Sequence, residues 1–86
     1  MWIVYIIINK ERTYRYIGLT KNIDKRLEDH NLGKTKSTKP YRPFDKIIIL
    51  EKCKTRIEAR AKEKYYKSGV GREKINILLS DSSSVG

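Results

Sequence analysis

Cysteine, methionine, tryptophan and phenylalanine each occur once in this 86-residue chain, and proline twice. The lone Cys53 can form neither an internal disulfide nor a cysteine cluster for zinc. Beside an apolar run it reads as a small buried thiol. The apolar run that opens the chain, WIVYIII at residues 2–8, is far short of the roughly 20 residues that span a bilayer. It has neither a basic n-region nor a small-residue cleavage site, so no secretory signal is expected and the protein is expected to be intracellular. Acid is also scarce: 10 Asp and Glu stand against 20 Lys and Arg, a net charge of +10. Such an excess repels itself in a compact fold, and a polyanionic partner relieves it. Nucleic acid is the first candidate and an anionic membrane surface the second. No basic amphipathic helix with exposed apolar residues accompanies the charge, which argues against the membrane.

What is present is concentrated. Hydrophobic residues make up 38% of the chain and fall in a few runs, which predicts one small folded domain with no room for a second core. Residues 2–8 read as a buried strand, residues 9–12 as a polar turn, and residues 13–17 as a second strand, forming an antiparallel hairpin. Thr20 or Asn22 can cap a first helix that runs to about Leu32, with Gly33 as its stop signal. Residues 33–44, GKTKSTKPYRPF, are a loop. A third buried strand covers residues 46–51, and T-x-x-E at 55–58 is a capping box for a second helix ending near Ser68. Gly69 and Gly71 interrupt it. A short third helix covers residues 72–79, and residues 80–86 are expected to be a disordered tail beyond a domain spanning 1–79. The segment KSGVGR at 67–72 lacks the lysine spacing and preceding strand of a phosphate loop.

If the hairpin turns symmetrically about Lys10 and Glu11, Tyr5 lies opposite Tyr16, and Tyr14 and Gly18 share their face by alternation. On the first helix Ile23 and Leu27 define the buried stripe, with Arg26 and His30 at its rim, one turn apart. Taken singly, Arg26 reads as a stem laid on apolar surface, His30 as a half-buried filler, and Glu63, flanked by Lys62 and Lys64, as a solvated charge. Glu58 is accounted for by the capping box.

The ordered set of these residues is more informative than any one of them. VYI at 4–6 and YIG at 16–18, followed by Arg26, His30 and Glu63, resemble the GIY-YIG nuclease superfamily. KRLEDHNLGKTKST, RPFDKIIILE and EARAKEKYYKSGVGRE resemble its small single-domain bacterial branch, over about residues 2–77. The resemblance implies that Tyr5 or Tyr16 is the general base, that Arg26 contacts the scissile phosphate, and that His30 lies near the nucleophile. It further implies that Glu63 binds a single divalent ion, Mg²⁺ or Mn²⁺, and that Gly18 lets the chain turn beside the phosphate. Val4 replaces the first glycine of the pattern. Leu19 stands where some members carry lysine, leaving Lys21 or Arg15 to supply that charge. Asn76 lies beyond the second helix, in a context that does not match the asparagine of other members, and is not carried over.

Phosphodiester hydrolysis needs an activated water, neutralised phosphoryl oxygens and a stabilised leaving oxygen. Arg26 suits the second task, since a guanidinium is always charged and forks onto phosphate. A Glu63-held cation suits the third. A free tyrosine has a pKa of about 10, so a tyrosine base requires a downward shift; His30 or a metal-bound water is the alternative. Lys21, Lys34, Lys36, Lys39 and Arg42, with Tyr41 interleaved, are the candidate DNA-backbone contacts, while Phe44 is expected to pack on the sheet. The reading is an α+β fold (β-β-α-β-α-α) with a three-stranded antiparallel sheet, its first strand in the middle. The expected activity is that of a metal-dependent endonuclease on DNA, branched or otherwise non-canonical forms included, in the cytoplasm and associated with the nucleoid. The alternative is a catalytically inactive, basic nucleic-acid-binding module of the same fold, with RNA left open.

Overall fold

The β-branched run at the start of the chain becomes the central strand of the sheet. The computed structural model describes residues 1–84, with side chains through Leu79. In chain order it comprises β1 (Trp2–Asn9), β2 (Arg15–Thr20), α1 (Ile23–Asn31), a 3-10 turn (Lys39–Tyr41), β3 (Phe44–Cys53), α2 (Arg56–Lys67) and α3 (Gly69–Ser84). The strand order is β2-β1-β3, antiparallel on both sides of β1. This is the expected α+β architecture, and a uniformly apolar strand suits a position covered on both faces. Among the described residues no helix is long and apolar enough to cross a membrane.

Alternation along β1 divides the molecule into two layers. Val4 and Ile6 point into a cluster with Cys53, Ala59, Tyr66 and Ile75, under α2 and α3. Tyr5 and Ile7 point the other way, with Phe44, Tyr14, Tyr16, Ile23 and Leu27, under α1. At about 1.5–3 kcal/mol for each fully buried aliphatic side chain, Val4, Ile6 and Ile7 make β1 the strand on which both layers rest.

The hairpin register differs from the expected one. Tyr5 pairs with Gly18, and Tyr16 with Ile7. The reason is the turn. Asn9 stays in β1, and its buried carboxamide oxygen accepts from the backbone N–H groups of Thr13 and Tyr14, both at 2.9 Å. Its Nδ2 donates to Thr13 Oγ1 at 2.8 Å. The closed turn therefore spans residues 10–13, wider than a turn centred on Lys10 and Glu11. The displacement is by two residues, so every side chain keeps its face.

Asn22, not Thr20, caps α1: its Oδ1 accepts from the Lys25 N–H at 3.3 Å. Gly33 ends the helix at φ +80°, a conformation that favours glycine. Asn31 then hooks α1 to the start of β3, its Oδ1 accepting from the Phe44 N–H at 2.6 Å and its Nδ2 donating to the Phe44 carbonyl at 2.9 Å. A side-chain amide here substitutes for a neighbouring strand, and β3 begins at Phe44, two residues earlier than expected. Thr55 caps α2 by accepting from the Glu58 N–H at 3.2 Å. The Glu58 carboxylate closes back on the Lys54 N–H at 3.3 Å, one residue before the usual capping-box partner.

The third helix is longer than the stretch 72–79, because Ser68 serves two helices. It closes α2 and also offers its Oγ to the Gly71 N–H at 3.4 Å. From there α3 runs through Ser84, into the stretch expected to be a tail; residues 85 and 86 lie outside the described residues. The two glycines of this junction differ physically. A Cβ on Gly71 would stand 2.1 Å from the Tyr65 carbonyl oxygen, whereas one on Gly69 would meet nothing within 4 Å. Gly71→Ala should therefore destabilise the protein by about 1–3 kcal/mol in urea unfolding. Gly69→Ala should be neutral, or stabilising by up to about 1 kcal/mol through the unfolded chain. Equal effects at the two positions would show that the α2–α3 crossing does not depend on close backbone approach.

Candidate active site

The α1-facing side of the sheet presents Tyr5 from β1 and Tyr14, Tyr16 and Gly18 around β2. Gly18 is buried within the strand, not at a turn as expected. A Cβ there would lie 2.7 Å from the Tyr5 hydroxyl and 2.8 Å from the Tyr16 ring. The Tyr5 side chain thus crosses the strand over the one position that has no side chain, and its hydroxyl emerges toward α1.

There it meets both rim residues of the helix. Arg26 Nε donates to the Tyr5 oxygen at 3.0 Å, and the oxygen lies 2.9 Å from His30 Nε2. On the far side of the imidazole, Nδ1 lies 2.8 Å from Thr38 Oγ1, whose hydroxyl donates to the Thr35 carbonyl at 3.2 Å. Tyr5, His30 and Thr38 are each 0% exposed. Among the described residues no hydrogen bond engages the two terminal nitrogens of Arg26, which is half-buried. They remain free to fork onto an anion.

This burial sets the ionisation of the pair. Desolvation pushes the Tyr5 phenol up to about 12, against the lowering effect of the Arg26 hydrogen bond and charge; Tyr16 and Glu63 add to the rise. The downward shift expected for a tyrosine base is therefore not found at Tyr5. Desolvation, helped by the Arg26 charge, pushes the His30 imidazole down to about 4, so at neutral pH it is uncharged. Tyr16 differs from Tyr5 in access. Its ring centroid lies 5.1 Å from that of His30 and 6.4 Å from that of Tyr5. It is only half-buried and lines an open cleft.

The cleft, of about 570 Å³, follows the outer edge of β2, where residues 13–17 line it in succession. Arg12, Arg15, Lys67 and Arg72 surround Tyr14 and Tyr16 there; Arg12 Nη1 is paired with Asp45 at 2.6 Å, and Arg15 Nη1 donates to Asn76 Oδ1 at 2.6 Å. Of these cations Arg15 entered the sequence reading as a substitute for a missing lysine, Lys67 and Arg72 only as the ends of a segment rejected as a phosphate loop, and Asn76 was set aside. Arg12 lies in the turn before β2; the signal for Arg15 was its alternation with Tyr14 and Tyr16 at that edge strand. For Lys67 and Arg72 it was that they flank the glycines of the helix junction. Glu63 on α2 lines a separate depression with Arg60, Lys64 and Lys67; its carboxylate lies 3.5 Å from Lys67 Nζ, which also borders the cleft. Among the described residues there is no group of three or more His, Cys, Asp or Glu side chains able to hold a metal ion. Glu63 is a single, hard oxygen donor with one loose ion-pair partner. That donor set fits a cation that keeps most of its waters and completes its shell with phosphate oxygens.

The cations expected to hold DNA are more dispersed. Lys34 pairs with Asp29 at 3.3 Å, and Arg42 Nε donates to the Lys39 carbonyl at 3.0 Å. Lys21 Nζ lies 5.3 Å from the centre of the Trp2 ring, in the opposite layer. Lys36 and Lys39 are exposed on the loop. The loop does meet the cleft at one point, where Tyr41 stacks on Tyr14 with ring centres 3.9 Å apart and planes 6° from parallel. Phe44 packs on the sheet as expected.

Comparison with known proteins bears on this arrangement. A family model described as the GIY-YIG catalytic domain matches residues 1–76. A UPF0213 protein of Syntrophus aciditrophicus (strain SB) is 36% identical over 77 residues, covering 87% of this chain and 86% of its own. A UPF0213 protein of Clostridium perfringens (strain 13 / Type A) is 32% identical over 80 residues, covering 92% of this chain and 84% of its own. No solved structure matches.

The buried imidazole makes stability depend on pH. Unfolded, His30 titrates near its ordinary 6.5; folded, near 4. Between those values the unfolded chain binds the proton and the folded protein does not. Its contribution is therefore complete above about pH 6.5 and lost as pH falls toward 4. Urea midpoints measured in steps from pH 7 to pH 5 should decline for the wild type and stay nearly level for His30→Gln.

Proposed function

The chain belongs to the GIY-YIG catalytic-domain family of nucleases, and from that premise we propose that it is an endonuclease that cleaves DNA in the cleft along β2. The observation that carries the proposal is the mounting of Arg26. Its Nε is held by Tyr5 and its terminal nitrogens are free; Tyr16, which is near enough to act on the Arg26 charge, is the one of the two tyrosines that lines the cleft. A phosphodiester seated there would receive the bidentate fork on its non-bridging oxygens. The flanking strand would be held by Arg12, Arg15, Lys67 and Arg72, with Lys36 and Lys39 extending the contact.

Each residue then has a distinct part. Tyr16 is the general base that takes the proton of the attacking water, since its hydroxyl is the one accessible to solvent and substrate. Tyr5 and His30, fully enclosed, hold Arg26 in its orientation and do not touch the substrate. Arg26 neutralises the charge growing on the phosphoryl oxygens, as a preorganised cation in a partly desolvated site. Glu63 is the residue that would hold a divalent cation, Mg²⁺ or Mn²⁺. When bound, that ion supplies Lewis-acid stabilisation of the leaving oxygen. Gly18 leaves room for the Tyr5 hydroxyl to reach Arg26.

A panel of plain, nicked and branched DNA, assayed with Mg²⁺ or Mn²⁺, should show cleavage that chelator or Glu63→Ala abolishes; turnover surviving both would refute the role of Glu63. Arg26→Ala should bind DNA nearly as well as wild type while turnover falls roughly a hundredfold or more. Equal loss of binding and turnover would reduce Arg26 to an affinity contact. Tyr16→Phe should be the more damaging of the two tyrosine changes to kcat, and the reverse order would transfer the base to Tyr5. Tight, salt-sensitive binding with no turnover on any DNA would identify the non-catalytic module instead.

A further inference from the structure

Thr38 closes the segment KRLEDHNLGKTKST, where the sequence reading assigns it no role of its own, yet it is as deeply enclosed as Tyr5 and His30. Its position at the end of the hydrogen-bond chain has a definite consequence. The Thr38 hydroxyl lies 3.2 Å from the Thr35 carbonyl and 2.8 Å from His30 Nδ1; with its proton on the carbonyl, its oxygen accepts from His30. In that arrangement His30 Nδ1 carries a proton. A neutral imidazole has one N–H, so Nε2 is left as the acceptor. It accepts from Tyr5, whose hydroxyl proton is thereby directed at His30 over 2.9 Å. The Tyr5 lone pair is then turned to Arg26, whose Nε can only donate. Every donor in the chain meets an acceptor, and among the described residues no buried side-chain nitrogen or oxygen lacks a partner.

The opposite tautomer breaks this order. With the proton on Nε2, His30 would donate to the Tyr5 oxygen. Arg26 donates to the same oxygen, and the Tyr5 hydroxyl proton would have no acceptor in a site closed to water. The buried donor would be left unpaired, or the Arg26 contact would open.

We propose that Thr38 is a positioning residue for catalysis: by accepting from Nδ1 it fixes the tautomer of His30, and through His30 and Tyr5 it fixes the orientation of the Arg26 guanidinium. This rests on the role given to Arg26 above, but the tautomer itself can be read without any nuclease assay. His30 is the only histidine in the chain, so a ¹⁵N-labelled sample yields a single imidazole pair.

At pH 7 the wild-type spectrum should show a protonated Nδ1 and an unprotonated Nε2. In Thr38→Val, which keeps the shape and removes the acceptor, the proton should move to Nε2. Its kcat should fall by roughly tenfold to a hundredfold, the rate equivalent of one hydrogen bond to a charged group, with KM for DNA unchanged. Thr38→Ser, which restores the hydroxyl, should recover both the tautomer and the rate. A wild-type spectrum with the proton on Nε2 overturns the proposal. So does a Thr38→Val spectrum unchanged from wild type, or a serine variant as slow as valine. If no DNA is cleaved by the wild type, the nuclease reading fails while the spectra still decide the tautomer.

Discussion

A single phenolic oxygen organises the candidate site. The Tyr5 hydroxyl has one proton and an acceptor lone pair, and both are committed: the proton faces His30, and the lone pair faces Arg26. Arg26 is thereby gripped at Nε, near the root of its guanidinium, so that the fork projects with little rotamer freedom left to lose. The arrangement depends on dryness. In water each of these hydrogen bonds would compete with solvent; in a pocket where Tyr5, His30 and Thr38 have no exposure, a mismatched donor has nowhere else to turn.

The same strand that carries Tyr5 also carries the hydrophobic core. Odd positions of β1 (Ile3, Tyr5, Ile7) serve the α1 layer, and even positions (Val4, Ile6) serve the α2–α3 layer. The site is therefore built on the most enclosed element of the fold and not on a mobile loop. α1 is fastened to the start of β3 by the Asn31 amide, and α2 brings Glu63 toward the sheet edge. Elements from both layers meet at β2, the edge strand, and the cleft forms where they fail to cover it.

Much of this could be read from the chain alone, for reasons that differ by residue. The central place of β1 followed from an apolar run with no polar alternation. The shared face of Tyr5, Tyr16 and Gly18 survived a wrong register, because the error was two residues and strand periodicity is also two. That register was illegible because the decisive group is the Asn9 carboxamide, which widens the turn by hydrogen bonds that no turn dipeptide advertises. Thr38 escaped notice because burial of a loop threonine is a tertiary fact. The purpose of Gly18 was misread for the same reason: a strand glycine can serve a turn, or make room for a side chain crossing from the next strand. The lysine-rich loop drew attention by composition, but Lys34 is paired with Asp29 and Arg42 is bound to a backbone carbonyl. The cations of the cleft come from two separate segments, 12–15 and 67–72, and only folding unites them.

An uncovered edge strand ordinarily offers its free backbone groups to any other extended chain, and proteins guard such edges against unwanted pairing. Here the rim of the edge carries Arg12, Arg15, Lys67 and Arg72, of which Arg12 and Lys67 are paired with Asp45 and Glu63. A second copy approaching edge to edge would bring like charge against like charge in a molecule whose net charge is already +10. A polyanion arriving at the same place is drawn in. One electrostatic barrier thus admits substrate and turns away self-association, and because mobile ions screen both effects alike, ionic strength couples solubility to affinity in this fold.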